Sequence, residues 1–237
     1  MSASSTATTS ATSVYSGPAF WERLWRTAGI QSVGLFIVAW IIYGYQPQVG
    51  ASSDALVAFF DGNRTRILIA AVLSGLAVLN LLWFVAALRA TLADAGRDGW
   101  GAAATASSAM VGALFLLLVT IGAALAYSIA SSGNPVLTSG LNDFGWACFV
   151  LSSFARAMLI MSAAFGLWRA GLISNALFAV GVAAVILVLA GGTTWMSGGF
   201  WAPDGVYSRF VSPIIGLAWI LVVSRVLLTS PATRTGW

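Results

Sequence analysis

The chain has 237 residues, of which 59% are hydrophobic and 8% are charged, and its mean hydropathy is +0.91. A soluble domain carries roughly a quarter charged residues, so this composition predicts an all-α, polytopic membrane protein without a separate soluble domain. The net charge of +4 comes from eleven arginines and seven acids with no block of like charge. This pattern argues against a nucleic-acid partner.

Several kinds of chemistry are excluded by residue types that the chain lacks. It contains no histidine, no lysine and a single cysteine, Cys148. The first absence excludes the common zinc and copper sites, bis-histidine haem and histidine-based acid–base catalysis. The absence of lysine excludes Schiff-base chemistry. A single cysteine forms neither an internal disulfide nor, alone, an iron–sulfur cluster. We therefore expect no catalytic residue, metal or cofactor, and Cys148 is expected to pack as a small apolar side chain.

The chain begins with a stretch rich in serine, threonine and alanine. Residues 1–20 predict a disordered tail rather than a secretory signal, because no apolar run follows a basic start. An aromatic and basic cluster suited to lipid headgroups comes next, formed by Trp21, Arg23, Trp25 and Arg26. From 21 to 228 we expect one transmembrane domain, and 229–237 are expected to form a cytoplasmic tail. The six predicted spans cover 28–45, 67–88, 103–130, 144–168, 173–195 and 210–228.

Three local patterns add detail to these spans. A short surface helix is predicted after the first span, capped by Ser53-Asp54 and ended by Gly62. Its apolar residues, expected on the membrane surface, are Leu56, Val57, Phe59 and Phe60. Small residues recur every four positions in the third span, which indicates either a close packing face or simply an abundance of such residues: Ala104, Ser108 and Gly112. The fifth span ends in Gly191-Gly192-Thr193-Thr194, which either unwinds or frays at the interface.

The arginines predict the orientation. With the N-terminus in the cytoplasm, the inner side has Arg23, Arg26, Arg89, Arg97, Arg169, Arg225 and Arg234, and the outer side has Arg64, Arg66 and Arg209. Cytoplasmic loops of membrane proteins carry an excess of basic residues. Both ends are therefore expected inside.

Arg156 is the one charged residue inside a predicted span, about midway along the fourth. An arginine at this depth is costly unless paired or hydrated, so it is a candidate functional residue. The seven acidic residues all map to loops or span ends. Three alternatives follow: Arg156 bonds Asn80, Ser152, Ser153 or backbone carbonyls; it faces a hydrated cavity that accepts an anionic ligand or lipid headgroup; or it meets an acid of another subunit.

Two further residues lie near mid-membrane. Asn80 is expected to form an interhelical hydrogen bond, and a contact with Arg156 is predicted only from their similar depth. Trp219 is expected either to pack between helices or to line a hydrophobic pocket. No carboxylate lies within a span, which argues against proton- or sodium-coupled transport and against aspartyl intramembrane proteolysis.

Two segments carry a family resemblance. The first runs from Asn63-Arg64-Thr65-Arg66-Ile67-Leu68 through Leu82-Trp83-Phe84 to Leu88-Arg89, and the second is Gly199-Phe200-Trp201-Ala202-Pro203-Asp204-Gly205 with the span after it. With these segments, residues 20–228 resemble six-span membrane proteins of high-GC, actinobacterial-type bacteria whose function is not known. The resemblance implies a multi-pass protein of the bacterial cytoplasmic membrane and brings no catalytic residue with it.

These observations together predict a non-enzymatic membrane protein. It would act as an accessory subunit of a membrane complex, or as a binder of a lipid or another hydrophobic ligand, with Arg156 and Asn80 as candidate contacts. Its partners would be the lipid bilayer and either other membrane subunits or a bound lipid. The alternative is a passive transporter or channel for a small or hydrophobic solute.

Overall fold

The computed structural model describes the backbone of residues 17–229 and the side chains of residues 27–229. Within these limits the chain is helical and contains no strand, so the all-α prediction is confirmed. Most of the two predicted tails, 1–20 and 229–237, lies outside the described residues. Only the backbone is described for the cluster around Trp21. The helices are α1 Gly17–Tyr43, α2 Ser53–Phe60, α3 Arg64–Asp94, α4 Asp98–Ala124, α5 Pro135–Arg169, α6 Asn175–Gly191 and α7 Ser212–Thr229.

Four helical segments are long and apolar enough to cross a membrane. They are Arg64–Asp94, Asp98–Ser132, Pro135–Arg169 and Tyr207–Thr229, where α4 and α7 are lengthened by the turns Leu125–Ile129, Ala130–Ser132 and Tyr207–Val211. The apolar part of α1, Thr27–Tyr43, and α6 are shorter. At 17 residues, α6 lies at the lower limit for a hydrocarbon layer that needs about 20.

The long helices form a ring in chain order. Each of α1, α3, α4, α5, α6 and α7 packs on the next, and α7 closes the ring by packing on α1. Helices that face each other across the ring touch far less, so the centre is not filled by a helix. The small-residue face of α4 is confirmed as a packing face: Ala104 and Ser108 are buried, and a Cβ on Gly112 would lie 3.2 Å from Cγ1 of Val78 on α3.

The short helix α2 forms, but the predicted exposure to the membrane surface is wrong for two of its four apolar residues, Leu56 and Phe60. Leu56 and Phe60 are 0% exposed and pack with Ile67 and Leu125 beneath the ends of α3 and α4. The cap is Ser52 rather than Ser53-Asp54, with Ser52 Oγ accepting a hydrogen bond from the Ala55 amide at 3.4 Å. Burial of these two side chains inside the protein replaces the expected burial in lipid.

Two span boundaries also differ from the predictions. Helix α5 begins at Pro135 rather than 144, because Asn134 caps it and accepts a hydrogen bond from the Leu137 amide at 3.1 Å. Arg156 consequently lies much further from the start of its helix than from the end. Helix α6 ends at Gly191 rather than 195, where the hydroxyls of Thr193 and Thr194 donate to the carbonyls of Ala190 and Gly191 at 2.8 and 2.9 Å. The Gly-Gly-Thr-Thr segment therefore terminates the helix.

Candidate functional site

The ring of helices surrounds a cavity of about 260 Å³. Its walls come from α1, α3, α4, α5 and α7 and are almost entirely apolar, with Phe36, Leu81, Phe115 and Ile160 among them. It extends from Gln46 and Arg209, at the predicted outer end, to Val223 on the inner half of α7. An apolar cavity with a few convergent polar groups is the usual form of a small-molecule site.

Arg156 lies on the wall of this cavity and is 9% exposed. Its Nη2 donates a hydrogen bond to Ser153 Oγ at 2.8 Å, and its Cζ lies 5.2 Å from the centre of the Phe149 ring. Both partners precede Arg156 on α5, as expected because helical side chains lean towards the N-terminus of their helix. The predicted serine contact is therefore confirmed for one guanidinium nitrogen.

Two residues that line the cavity each contain a buried N–H group without a hydrogen-bond acceptor in the described part of the chain. The groups are Nε of Arg156 and Nε1 of Trp219, which is 5% exposed. No carboxylate among residues 27–229 forms an ion pair with Arg156; the pair of Arg89 with Asp98, at 3.7 Å, lies on the surface between α3 and α4. Because buried donors are nearly always satisfied in proteins, Arg156 and Trp219 are the candidate polar contacts of the cavity.

Trp219 both packs between helices and lines the pocket, so the two predicted alternatives hold together. A Cβ on Gly181 of α6 would lie 2.7 Å from Trp219 Cη2, which shows how closely the indole edge approaches that helix. The same indole lines the cavity. Its position is thus fixed from behind by α6, which itself contributes nothing to the cavity wall.

Arg209 is a candidate site residue that the sequence did not identify. It was predicted to lie on the outer side, and it is 6% exposed and lines the outer end of the cavity. Its Nε and Nη2 donate to the carbonyls of Asp204 and Gln46 at 3.2 and 3.1 Å. Its Cζ lies 3.8 Å from the Tyr45 ring centre and 4.8 Å from that of Trp146. Most of these partners are distant in the chain, so the burial of Arg209 has no local signal in the sequence.

The two buried arginines are connected by an aromatic pair on α5. Trp146 stacks on Arg209, its ring centre lies 6.0 Å from that of Phe149, and Phe149 faces Arg156. The three α5 residues recur at a spacing of three and seven, which is one face of a helix. Cation–π contacts with the two rings favour the positive charges of Arg209 and Arg156.

Polar contacts close the outer end of α5 against the loop before α2. Asn142 Nδ2 donates to the Gln48 carbonyl at 3.2 Å, and Trp146 Nε1 donates to the Pro47 carbonyl at 3.0 Å. Gln46 Nε2 in turn donates to Asn142 Oδ1 at 3.1 Å. This loop and Arg209 together form the outer boundary of the cavity.

Asn80 lies outside the site. Its Nδ2 donates to the Leu76 carbonyl on its own helix at 2.9 Å, and the residue is not on the cavity wall. Within the described residues, the predicted interhelical hydrogen bond is therefore wrong and no hydrogen bond joins Asn80 to Arg156. Cys148 is a buried free thiol, as expected for a small packing residue.

Comparison of the chain with protein-family models, curated proteins and solved structures finds no match in any of the three. The resemblance to six-span proteins of high-GC bacteria therefore stays a prediction.

Proposed function

We propose that this chain is an integral protein of the bacterial cytoplasmic membrane with six spans and both ends inside. Four helices have the length and composition of spans. Helices α1 and α6 occupy equivalent places in the same ring, and α6 faces outwards with apolar residues such as Val180, 57% exposed, and Ile186, 61% exposed. Such faces are stable in lipid and costly in water. The arginine distribution supports the orientation.

Single-cysteine labelling tests this topology. In a Cys148→Ala background, Ser131→Cys and Ser197→Cys are expected to react with a membrane-impermeant maleimide in intact cells. Ala95→Cys is expected to react only after permeabilisation, because it lies in the turn between α3 and α4 on the opposite side. Protection of Ser197→Cys would mean that α6 does not cross. Labelling of Ala95→Cys with protection of Ser131→Cys would mean the opposite orientation.

We propose further that the protein binds a hydrophobic small molecule or lipid-like ligand in its central cavity. The observation that supports this most directly is the apolar cavity of about 260 Å³ enclosed by five helices. Burial of an apolar chain in such a space is favourable by about 25 cal/mol for each Å² removed from water. The donors of Arg156 and Trp219 give the site a polar centre that can fix a ligand's orientation.

A cavity-filling variant tests ligand binding. Gly216 on α7 lines the cavity, and a Cβ there would meet no atom within 4 Å. Gly216→Phe is therefore expected to fold and to fill the space. Binding of the neutral probe ω-bromooctanol, measured as saturable quenching of tryptophan fluorescence in detergent micelles, is expected to weaken about tenfold or more, which corresponds to 1.4 kcal/mol.

The matched control is Gly34→Phe. Gly34 lies on the exposed face of α1, away from the cavity, and its Cβ would also meet no atom within 4 Å. This variant is expected to bind the probe as the wild type does. Equal weakening in both variants, or no saturable binding by the wild type, would contradict a ligand site in the cavity.

The other roles predicted from the sequence are accessory subunit, passive transporter and the absence of enzymatic activity, and each stays a prediction. Native mass spectrometry of protein purified under mild conditions separates them from ligand binding. A stable subunit partner would appear as a defined heteromeric mass. A bound ligand would appear as a small mass increment that Gly216→Phe removes.

A further inference from the structure

We infer that the ligand of the central cavity is a single-chain carboxylate whose acid group is bound at Arg156 and Trp219. This inference rests on the proposed function and adds to it the chemical class of the ligand. Its starting point is that, among the described residues that line the cavity, the buried side-chain groups without a partner are both N–H donors, Arg156 Nε and Trp219 Nε1.

Both donors have the properties of a built site. Each belongs to a side chain that is more than nine-tenths buried, and each residue lies on the wall of the same cavity. They belong to α5 and α7, which lie on either side of α6 in the ring. Ser153 accepts a hydrogen bond from the guanidinium of Arg156, and the Cζ2 and Cη2 edge of the Trp219 indole packs against Gly181. These contacts restrict both side chains before any ligand binds, which lowers the entropic cost of binding.

The charge at this position favours an acid over a neutral polar group. No carboxylate among residues 27–229 pairs with Arg156, so the guanidinium charge is uncompensated in an apolar environment. An ionised carboxylate accepts hydrogen bonds without donating any, whereas an alcohol brings a donor that finds no obvious acceptor at this place. Guanidinium–carboxylate pairs also form the stronger, charge-assisted bonds.

The second buried arginine indicates how an acid would reach this depth. Arg209 lies at the outer end of the cavity and is connected to Arg156 by the rings of Trp146 and Phe149. A positive charge therefore marks both the outer end and the middle of one continuous wall. An anion that enters from the outer side meets favourable potential along this route.

The cavity has the size of a small-molecule site. Its volume of about 260 Å³ is near the lower end of the roughly 300–1,000 Å³ typical of such sites. A medium-chain acid such as octanoate is therefore a suitable probe of this class. The apolar walls above and below Arg156 cover its alkyl chain.

A pair of probes that differ only in the head group tests the inference. Tryptophan quenching by ω-bromooctanoate and by ω-bromooctanol is measured on the full-length protein at neutral pH. The wild type is expected to bind the acid about tenfold or more tightly than the alcohol. Arg156→Gln is expected to weaken acid binding by about tenfold to a hundredfold, as expected for loss of a hydrogen bond to a charged group. Alcohol binding is expected to change less than threefold.

Trp219→Phe is the second variant; it removes the indole N–H together with the ring atoms Cζ2 and Cη2 that pack against Gly181, so its readout is the ratio of acid to alcohol affinity. This ratio is expected to fall severalfold, with Trp146 and Trp40 on the cavity wall still reporting quenching. Retained saturable alcohol binding shows that each variant is folded. Equal affinity of the wild type for both probes, or an acid preference that survives in Arg156→Gln, would overturn the carboxylate assignment and leave the hydrophobic site standing. Absence of saturable binding by either probe would overturn the proposed function as well.

Discussion

Replacing Arg156 with methionine is expected to stabilise the protein without ligand by about 1–4 kcal/mol, the range found when buried ion pairs are replaced by apolar side chains of similar volume. Arg156 is 9% exposed, forms one hydrogen bond to Ser153 and has an Nε without an acceptor in the described part of the chain. Its burial therefore costs more than its contacts return. Methionine keeps an unbranched, flexible side chain of similar length that packs against Phe149 without a charge.

The measurement is reversible unfolding in mixed micelles with increasing denaturing detergent. Arg209→Met is the matched control, since Arg209 is similarly buried but donates to two carbonyls and lies between two aromatic rings. That variant is expected to be less stable than the wild type. Destabilisation by Arg156→Met to the same degree would show that Arg156 is satisfied in the folded protein, and would contradict the assignment of Nε as a free donor.

Ligand should reverse the order of stabilities. A ligand that binds only the folded state stabilises it in proportion to the logarithm of its concentration above Kd. Octanoate at a fixed concentration well above the wild-type Kd is therefore expected to stabilise the wild type more than Arg156→Met. A stability cost at the site that is recovered on binding is the pattern expected of a residue retained for function.

The positions of the helices could be predicted from the sequence, but the cavity could not. Apolar runs and their Gly, Pro and Asn interruptions place each predicted span over a helix, although α5 begins at Pro135 and not at 144. The side of each helix that faces the centre cannot be predicted in the same way, because a helix in lipid is apolar all round. On α3, Ile67 is 1% exposed and Ile69 is 49% exposed, although the two side chains are identical.

The candidate site could be predicted only in part for the same reason. Arg156 was identifiable because a charge within an apolar run is exceptional, and its contact with Ser153 because the two are three residues apart on one helix. The position of Trp219 on the cavity wall could not be predicted, because tertiary packing decides which helices surround the centre. To predict the burial of Arg209, one would need the position of the Gln46 carbonyl, which is 163 residues away in the chain. No local pattern contains that information.

Replacing Gly181 with leucine is expected to destabilise the protein by about 3 kcal/mol and to reduce probe binding, because overpacking a tight helix contact costs about 1–3 kcal/mol and forces neighbours to move. A Cβ at Gly181 would lie 2.7 Å from Trp219 Cη2 and 2.9 Å from the Cβ of Ala164. Ala164 is attached directly to the α5 backbone and cannot rotate away. The indole of Trp219 must therefore shift towards the cavity, or α6 must separate from α5.

These two responses are distinguishable. A shift of Trp219 into the cavity lowers the affinity for ω-bromooctanol together with stability, whereas separation of α6 lowers stability alone, since α6 does not line the cavity. Gly34→Leu is the control, because a Cβ at Gly34 meets no atom within 4 Å and leucine forms helix better than glycine by roughly 1 kcal/mol. Wild-type stability in Gly181→Leu would contradict the close packing of α6 on Trp219. That packing is what restricts the indole of Trp219, so its loss would remove the structural reason for a preorganised site.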